Sequence, residues 1–252
     1  MLYLVGLGLF DELDLSLRGL EKLKDSDKVY LELYTNFYHG DLKKLEKLCD
    51  KKIVILKRSD IEEHPDENVL KDAQKKVVSL LVPGDPMVAT THIDLALRAR
   101  KKGIEVKVIH SSSVYSAVAE TGLQIYKFGK TTTLAYPESS YFPTSPYDAI
   151  KENRDRGLHT LCLLDVKADE QKYMTVDDGI RILLEIEKKK KQGIFTEETL
   201  CVGVSRLGGD TLIKYGKAAE LMKIDYGKPP QILVIPGKLH YLEEEALGYY
   251  SL

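Results

Sequence analysis

Five short runs rich in Val, Leu and Ile, at Leu2 to Gly6, Lys28 to Tyr34, Ile53 to Leu56, Val77 to Val82 and Glu105 to His110, are separated by stretches with helical spacing. Strands that alternate with helices are expected to pair as a parallel sheet with right-handed crossovers. The Val77 to Val82 run is continuous rather than alternating, as in a strand covered on both faces. It stops at Pro83-Gly84-Asp85-Pro86. The prolines remove backbone donors and the glycine admits positive φ, so the main chain can turn sharply and leave peptide groups without ladder partners. In an open α/β sheet, ligands bind beyond the carboxyl ends of the strands, which is where this turn must lie. Thr91 followed by Asp94 has the spacing of a capping box for a helix ending at Gly103.

The remaining first-half elements are a helix after the first strand with a Leu13, Leu17 and Leu20 stripe, a helix over Asp41 to Cys49, and a solvated connection over Asp60 to Glu67. The texture changes at Ser111 to Ser113, which can cap a helix over Val114 to Glu120. A strand at Thr131 to Tyr136 precedes a polar and aromatic stretch, Pro137 to Ser145, containing Tyr141 and Phe142. A helix from Ser145 to about Gly157 leads into the apolar strand Leu158 to Val166. Thr175 with Asp178 opens a further helix, whose Lys188 to Lys191 run complements the helix dipole. Strands at Leu200 to Ser205 and Ile232 to Ile235 flank a turn at Gly208 to Asp210 and a short helix at Lys217 to Met222. The expected architecture is two α/β domains, 1–110 and 111–252, with a cleft between them and a mostly parallel N-terminal sheet.

Length and charge narrow the function. At 252 residues the chain has room for two modest domains. Lys and Arg total 37 against 39 Asp and Glu, which argues against a polyanion-binding surface and so against a nucleic-acid partner. Cys49, Cys162 and Cys201 are widely spaced and lack a CxxC or a histidine at metal spacing, so no metal site is expected and a reducing cytoplasm fits. The apolar MLYLVGLGLF is too short for a membrane span and lacks the form of a secretion signal, so it reads as the first core strand.

No GxSxG elbow, Walker sequence, HExxH or paired Cys and His is present, which favours group transfer from an activated cofactor over protein-nucleophile or metal chemistry. Gly6, Gly8 and Glu32 offer a competing dinucleotide fingerprint, and with it a nicotinamide oxidoreductase. Asp11 occupies its third glycine position, where a carboxylate would repel a pyrophosphate. The six histidines are scattered singly, and Asp165, at the end of an apolar strand, is the more interesting acid.

The segments LYLVGLGL, VPGDPMVATTH, HSSSVYSAVAETGLQIYKFG, LHTLCLLDVKA, VGVSRLGG and IPGKLHYLEEEAL, in this order, resemble the diphthine synthases, within the tetrapyrrole-methylase-like class. The resemblance spans Met1 to about Leu247. It implies a two-domain homodimer that binds S-adenosylmethionine in the cleft and releases S-adenosylhomocysteine. By the same resemblance, cofactor contacts fall on Leu9, Asp85, Val88, Ser113, Val114, Leu164, Leu207 and Gln231. The chain departs from the family pattern at Gln231, where histidine is expected, and at Ser205, where alanine is usual. The implied substrate is elongation factor 2, methylated on the amino group of its aminocarboxypropyl-histidine, with Asp165 and His92 as candidate bases. Membrane partners are not implied. A tetrapyrrole methyltransferase and a non-catalytic S-adenosylmethionine sensor are the competing readings of the same fold.

Overall fold

A computed structural model describes residues 1–138 and 142–252, so Tyr141 lies outside the described residues. The chain divides into two compact units, Met1–Val114 and Tyr115–Leu252. The sequence alone places the change at 110/111.

The first unit carries β1 (Leu2–Gly6), α1 (Leu17–Asp25), β2 (Lys28–Glu32), α2 (Leu42–Cys49), β3 (Ile53–Leu56), α3 (Arg58–Glu62), α4 (Val69–Ala73), β4 (Val78–Val82), α5 (His92–Lys101) and β5 (Val106–Ile109). Its sheet is parallel throughout, in the order β3-β2-β4-β1-β5. Because side chains alternate along a strand, Leu2 and Leu4 pack with Leu95, Ala96 and Ala99 of α5 on one face, while Tyr3 and Val5 pack with Leu23 of α1 and Leu45 of α2 on the other. The chain therefore leaves β1 toward one face and β4 toward the other. These neighbouring strands form a switch point, where the ends of the strands open a crevice.

Three backbones meet at that point. Gly8 and Gly84 exchange hydrogen bonds, Gly8 N to Gly84 O at 3.2 Å and Gly84 N to Gly8 O at 2.7 Å. A Cβ on Gly6 would stand 2.6 Å from Gly84 O and 2.7 Å from Ser111 Cβ. No side chain fits there, so the glycine that ends β1 is required by the crossing of the ends of β1, β4 and β5.

The second unit holds α6 (Val114–Ala117), whose first residue closes the first unit, then β6 (Thr132–Leu134), α7 (Ser145–Asp155), β7 (Thr160–Leu164), β8 (Val166–Lys167), β9 (Lys172–Tyr173), α8 (Val176–Lys190), β10 (Leu200–Ser205), β11 (Leu212–Lys217), α9 (Ala218–Leu221), β12 (Gln231–Ile235) and α10 (Tyr241–Gly248). Its main sheet, β11-β10-β12-β7-β6, is antiparallel except for the β6–β7 pair. Cys162, Leu233 and Cys201 pack there against Ile180 and Leu183 of α8 and Tyr147 of α7. Thr175 and Asp178 form the expected reciprocal capping box at α8.

Several expectations are corrected. Leu13 and Leu17 are 83% and 86% exposed, because Glu12–Asp14 is a single 3-10 turn and the helix starts only at Leu17; Leu23 is the buried leucine of α1. Thr91 does not cap α5 with its side chain, since its hydroxyl donates to Glu62 at 2.9 Å and Asp94 pairs with Arg98. Leu212–Lys217 is a strand lying between the expected turn at Gly208 to Asp210 and the expected helix from Lys217, and the Leu158 to Val166 run breaks into β7 and β8.

The second unit is knotted by Glu243 on α10. Its carboxylate is fully buried and accepts from Gln124 N at 2.9 Å, His240 N at 2.8 Å, the His159 ring at 3.0 Å and the Lys127 ammonium. His159 accepts from Gly237 N on Nδ1, so the proton sits on Nε2 and points at Glu243. Burial would raise the Glu243 pKa, but these donors outweigh it and hold the carboxyl down at about 2. Burial lowers His159 below its ordinary 6.5. Both groups take up protons more readily in the unfolded chain, so stability falls on acidification, below pH 6.5 for His159 and from 4.5 toward about 2 for Glu243. Urea unfolding should show Glu243→Gln to be about 3 kcal/mol less stable at neutral pH, with the gap to the parent narrowing in acid. Gly6→Ala should cost about 1–3 kcal/mol in the same assay, through the forced shift at Gly84.

Candidate functional site

Leu9, Asp85, Val88, Ser113 and Val114 all follow the carboxyl ends of the adjacent strands β1, β4 and β5. The Asp85 side chain, 5% exposed, fixes this edge. One carboxylate oxygen accepts from Met87 N at 2.9 Å and the other from Ser111 N at 3.1 Å. His110 Nδ1 lies 2.8 Å from the second oxygen, and since a carboxylate can only accept, the imidazole donates. Asp85 thus turns its charge inward and ties the loop after β4 to the end of β5. Above Gly84, which has φ +77°, the space where a Cβ would sit is open.

Asp14 does the same for the loop after β1, accepting from Leu9 N at 3.1 Å and Phe10 N at 2.7 Å. Nothing in the sequence distinguished it from the neighbouring Asp11 and Glu12. These N–H groups would have to meet the pyrophosphate in a dinucleotide site, and a carboxylate already occupies them. Glu32 is also turned away from any ribose. It is fully buried and accepts from Tyr34 N at 3.0 Å, Thr35 N at 3.1 Å and the Thr35 hydroxyl. Gly6 and Gly8 serve the backbone crossing instead. The fingerprint reading therefore fails on all of its residues.

Leu164, Leu207 and Gln231 share one edge of the second unit's sheet. Leu164 ends β7, Leu207 follows β10 and Gln231 opens β12, and antiparallel pairing sets Ser205 opposite Gln231 and Leu163 opposite Ile232. Gln231 Oε1 accepts from Val176 N at the start of α8, at 2.9 Å, and Nε2 donates to Gly227 O at 3.0 Å. Each end of the amide is thus engaged in one internal hydrogen bond, which fixes its orientation. Ser205, in place of the usual alanine, donates to Tyr226 O at 2.9 Å and is buried. Tyr226 in turn lies over Gly203, where a Cβ would be 2.1 Å from the phenol oxygen.

The two candidate bases separate. Asp165 is half-buried at the edge of β7 and accepts from Tyr136 N at 3.0 Å through one oxygen. His92 has no exposed surface, so it cannot reach the amine of a substrate.

The Tetrapyrrole (Corrin/Porphyrin) Methylases model matches residues 1–221. The diphthine synthase of Methanocaldococcus jannaschii is 49% identical over 253 residues, spanning 99% of this chain and 98% of that protein. That of Methanococcus vannielii is 48% identical over 251 residues, with the same coverage. A crystal structure from Entamoeba histolytica, named provisionally as a diphthine synthase, superposes with a TM-score of 0.92 at 42% identity over 100% of this chain and 98% of that one. Full-length similarity of this kind, on a sheet edge built as described, places the chain in the diphthine synthase family of tetrapyrrole methylases.

Proposed function

We propose that the chain is the S-adenosylmethionine-dependent methyltransferase of diphthamide biosynthesis, acting on the amino group of the aminocarboxypropyl-histidine of elongation factor 2. The observation that carries this reading is the full-length match to diphthine synthases, at 49% identity, combined with strand ends shaped for a ligand without phosphate. Identity of 49% and 48% to diphthine synthases over the full chain disfavours a tetrapyrrole substrate.

The residues present fit the methyl donor. Open space over Gly84, an inward-turned Asp85 and occupied amides at Leu9 and Phe10 suit a phosphate-free sulfonium ligand read by main chain and apolar side chains. Leu9, Asp85, Val88, Ser113, Val114, Leu164, Leu207 and Gln231 would hold it. S-adenosylmethionine supplies a methyl group on a positively charged sulfur, which keeps the electron pair of the broken bond. The protein's part is to hold the neutral acceptor amine in line, so that alignment and exclusion of water supply most of the rate. Asp165, with one carboxylate oxygen at the sheet edge, is the group assigned to take the amine's proton.

A cytoplasmic homodimer completes the reading. All three cysteines are buried as free thiols, as a reducing compartment requires, and among the described residues no helix is long and apolar enough to cross a membrane. Sedimentation should give twice the 28.5 kDa chain mass; a monomer would overturn the dimer.

Calorimetric titration with S-adenosylhomocysteine should give micromolar binding, and NADH none. Asp85→Ala leaves Met87 N, Ser111 N and His110 without their acceptor and should weaken that binding by about tenfold or more. Unchanged affinity would remove the turn from the donor site.

A further inference from the structure

The GDPMVATTH segment ends in a histidine that the proposed chemistry does not use. His92, the first residue of α5, has no exposed surface, and neither ring nitrogen makes a well-aligned hydrogen bond. Its surroundings are polar. Glu32, equally buried at the end of β2, has Oε1 3.9 Å from His92 Nε2. Tyr34, 5% exposed, has its hydroxyl beside the Thr91 side chain without a well-aligned hydrogen bond, and its ring centroid is 6.4 Å from that of His92. The Pro86 carbonyl lies beside the imidazole and accepts from the Thr90 hydroxyl at 2.6 Å. The other charges here are Arg58, 5.3 Å above the Tyr34 ring, and Glu62, bonded to Thr91.

A buried donor or acceptor without a partner forfeits its hydration, so an apolar side chain would fill this position at lower cost. The unmade bonds instead gather where the loops after β2 and β4 meet, and those strands are neighbours. The His92–Glu32 separation exceeds a hydrogen bond by about 1 Å, so a loop shift of that size closes it. Burial favours uncharged partners, lowering His92 to about 4 and raising Glu32 to about 7, which suits one proton shared between them.

We propose that His92 is a positioning residue of the methyl-donor site, bridging the Pro86 carbonyl and the Glu32 carboxyl, and that this bridge closes when the donor occupies the turn at Asp85 and Val88. The inference rests on the reading of that turn as part of the donor site. Closure orders the loop from Pro83 to Thr91 at the moment of binding, so the unmade bonds of the free protein become affinity for the donor.

The test titrates S-adenosylhomocysteine into the parent, His92→Leu and His92→Gln. A parent that does not bind overturns the donor reading and the bridge together. If the parent binds, His92→Leu should raise Kd by about tenfold or more, and His92→Gln, which restores polar atoms, should recover most of the loss. Thermal unfolding of ligand-free His92→Leu should match or exceed the parent, whereas a merely structural histidine would lower it and leave Kd unmoved. Equal Kd values for parent and His92→Leu overturn the bridge alone. Should His92→Leu fail to fold, nitrogen NMR of the parent decides: a new hydrogen bond at the His92 ring on adding S-adenosylhomocysteine supports closure, and unchanged ring signals overturn it.

Discussion

The buried Asp85 carboxylate is the interaction on which the proposed donor site depends. It accepts from Met87 N within its own turn and from Ser111 N and His110 beyond β5, so one side chain sets both the shape of the turn and its distance from the neighbouring strand end. Hydrogen bonds to a charged group contribute about 1.5–3 kcal/mol each, enough to hold a loop interrupted by two prolines. The glycine crossing at Gly6, Gly8 and Gly84 then becomes tolerable, because the backbones it brings together are pinned from both sides. An inward-turned carboxylate also leaves main chain and small side chains as the lining, which is the surface a phosphate-free ligand needs.

The second unit uses the same device. Glu243 gathers Gln124, Lys127, His159 and His240, while Glu187 accepts from Gly193 N, Ile194 N, Phe195 N and the Tyr147 hydroxyl. Burial alone would raise the Glu187 pKa, yet these donors bring it to about 2. Each carboxylate substitutes for secondary structure in a segment that has none, gathering backbone donors that no helix or sheet ladder satisfies. Gln231 plays a related part without charge, joining the start of β12 to the first turn of α8. At the edge that holds Leu164, Leu207 and Gln231, it is this amide that makes the tie, and it needs no ligand to do so.

The parallel sheet was legible because each strand is a short, mostly apolar run and its crossovers are helical, so no long-range information was required. Leu212–Lys217 was not legible: it is an edge strand, only partly buried, and its LIKYGK mixes lysines with apolar residues as a solvent-facing turn would. The leucines at 13 and 17 misled because helical spacing was present without a helix to bear it. In the site, Gly84, Asp85 and the strand-end positions could be read from turn chemistry and family resemblance. The inward direction of Asp85 and the burial of Glu32 and His92 could not, because their partners at 110, 111, 34 and 35 come from other segments or from loop geometry that carries no periodic signal. The Gly6, Gly8 and Glu32 pattern shows the same limit from the other side: the spacing of a dinucleotide site is present, but its groups are spent on backbone crossing and loop closure.

Transfer of a methyl group to a modified histidine on a protein is the step to be tested. The most direct measurement supplies S-adenosylmethionine carrying a labelled methyl group with elongation factor 2 bearing the aminocarboxypropyl group, alongside the unmodified factor and a precorrin. Label is expected only on the modified factor, at its amino nitrogen. Label on the precorrin, or none on any acceptor while the donor binds, would contradict it.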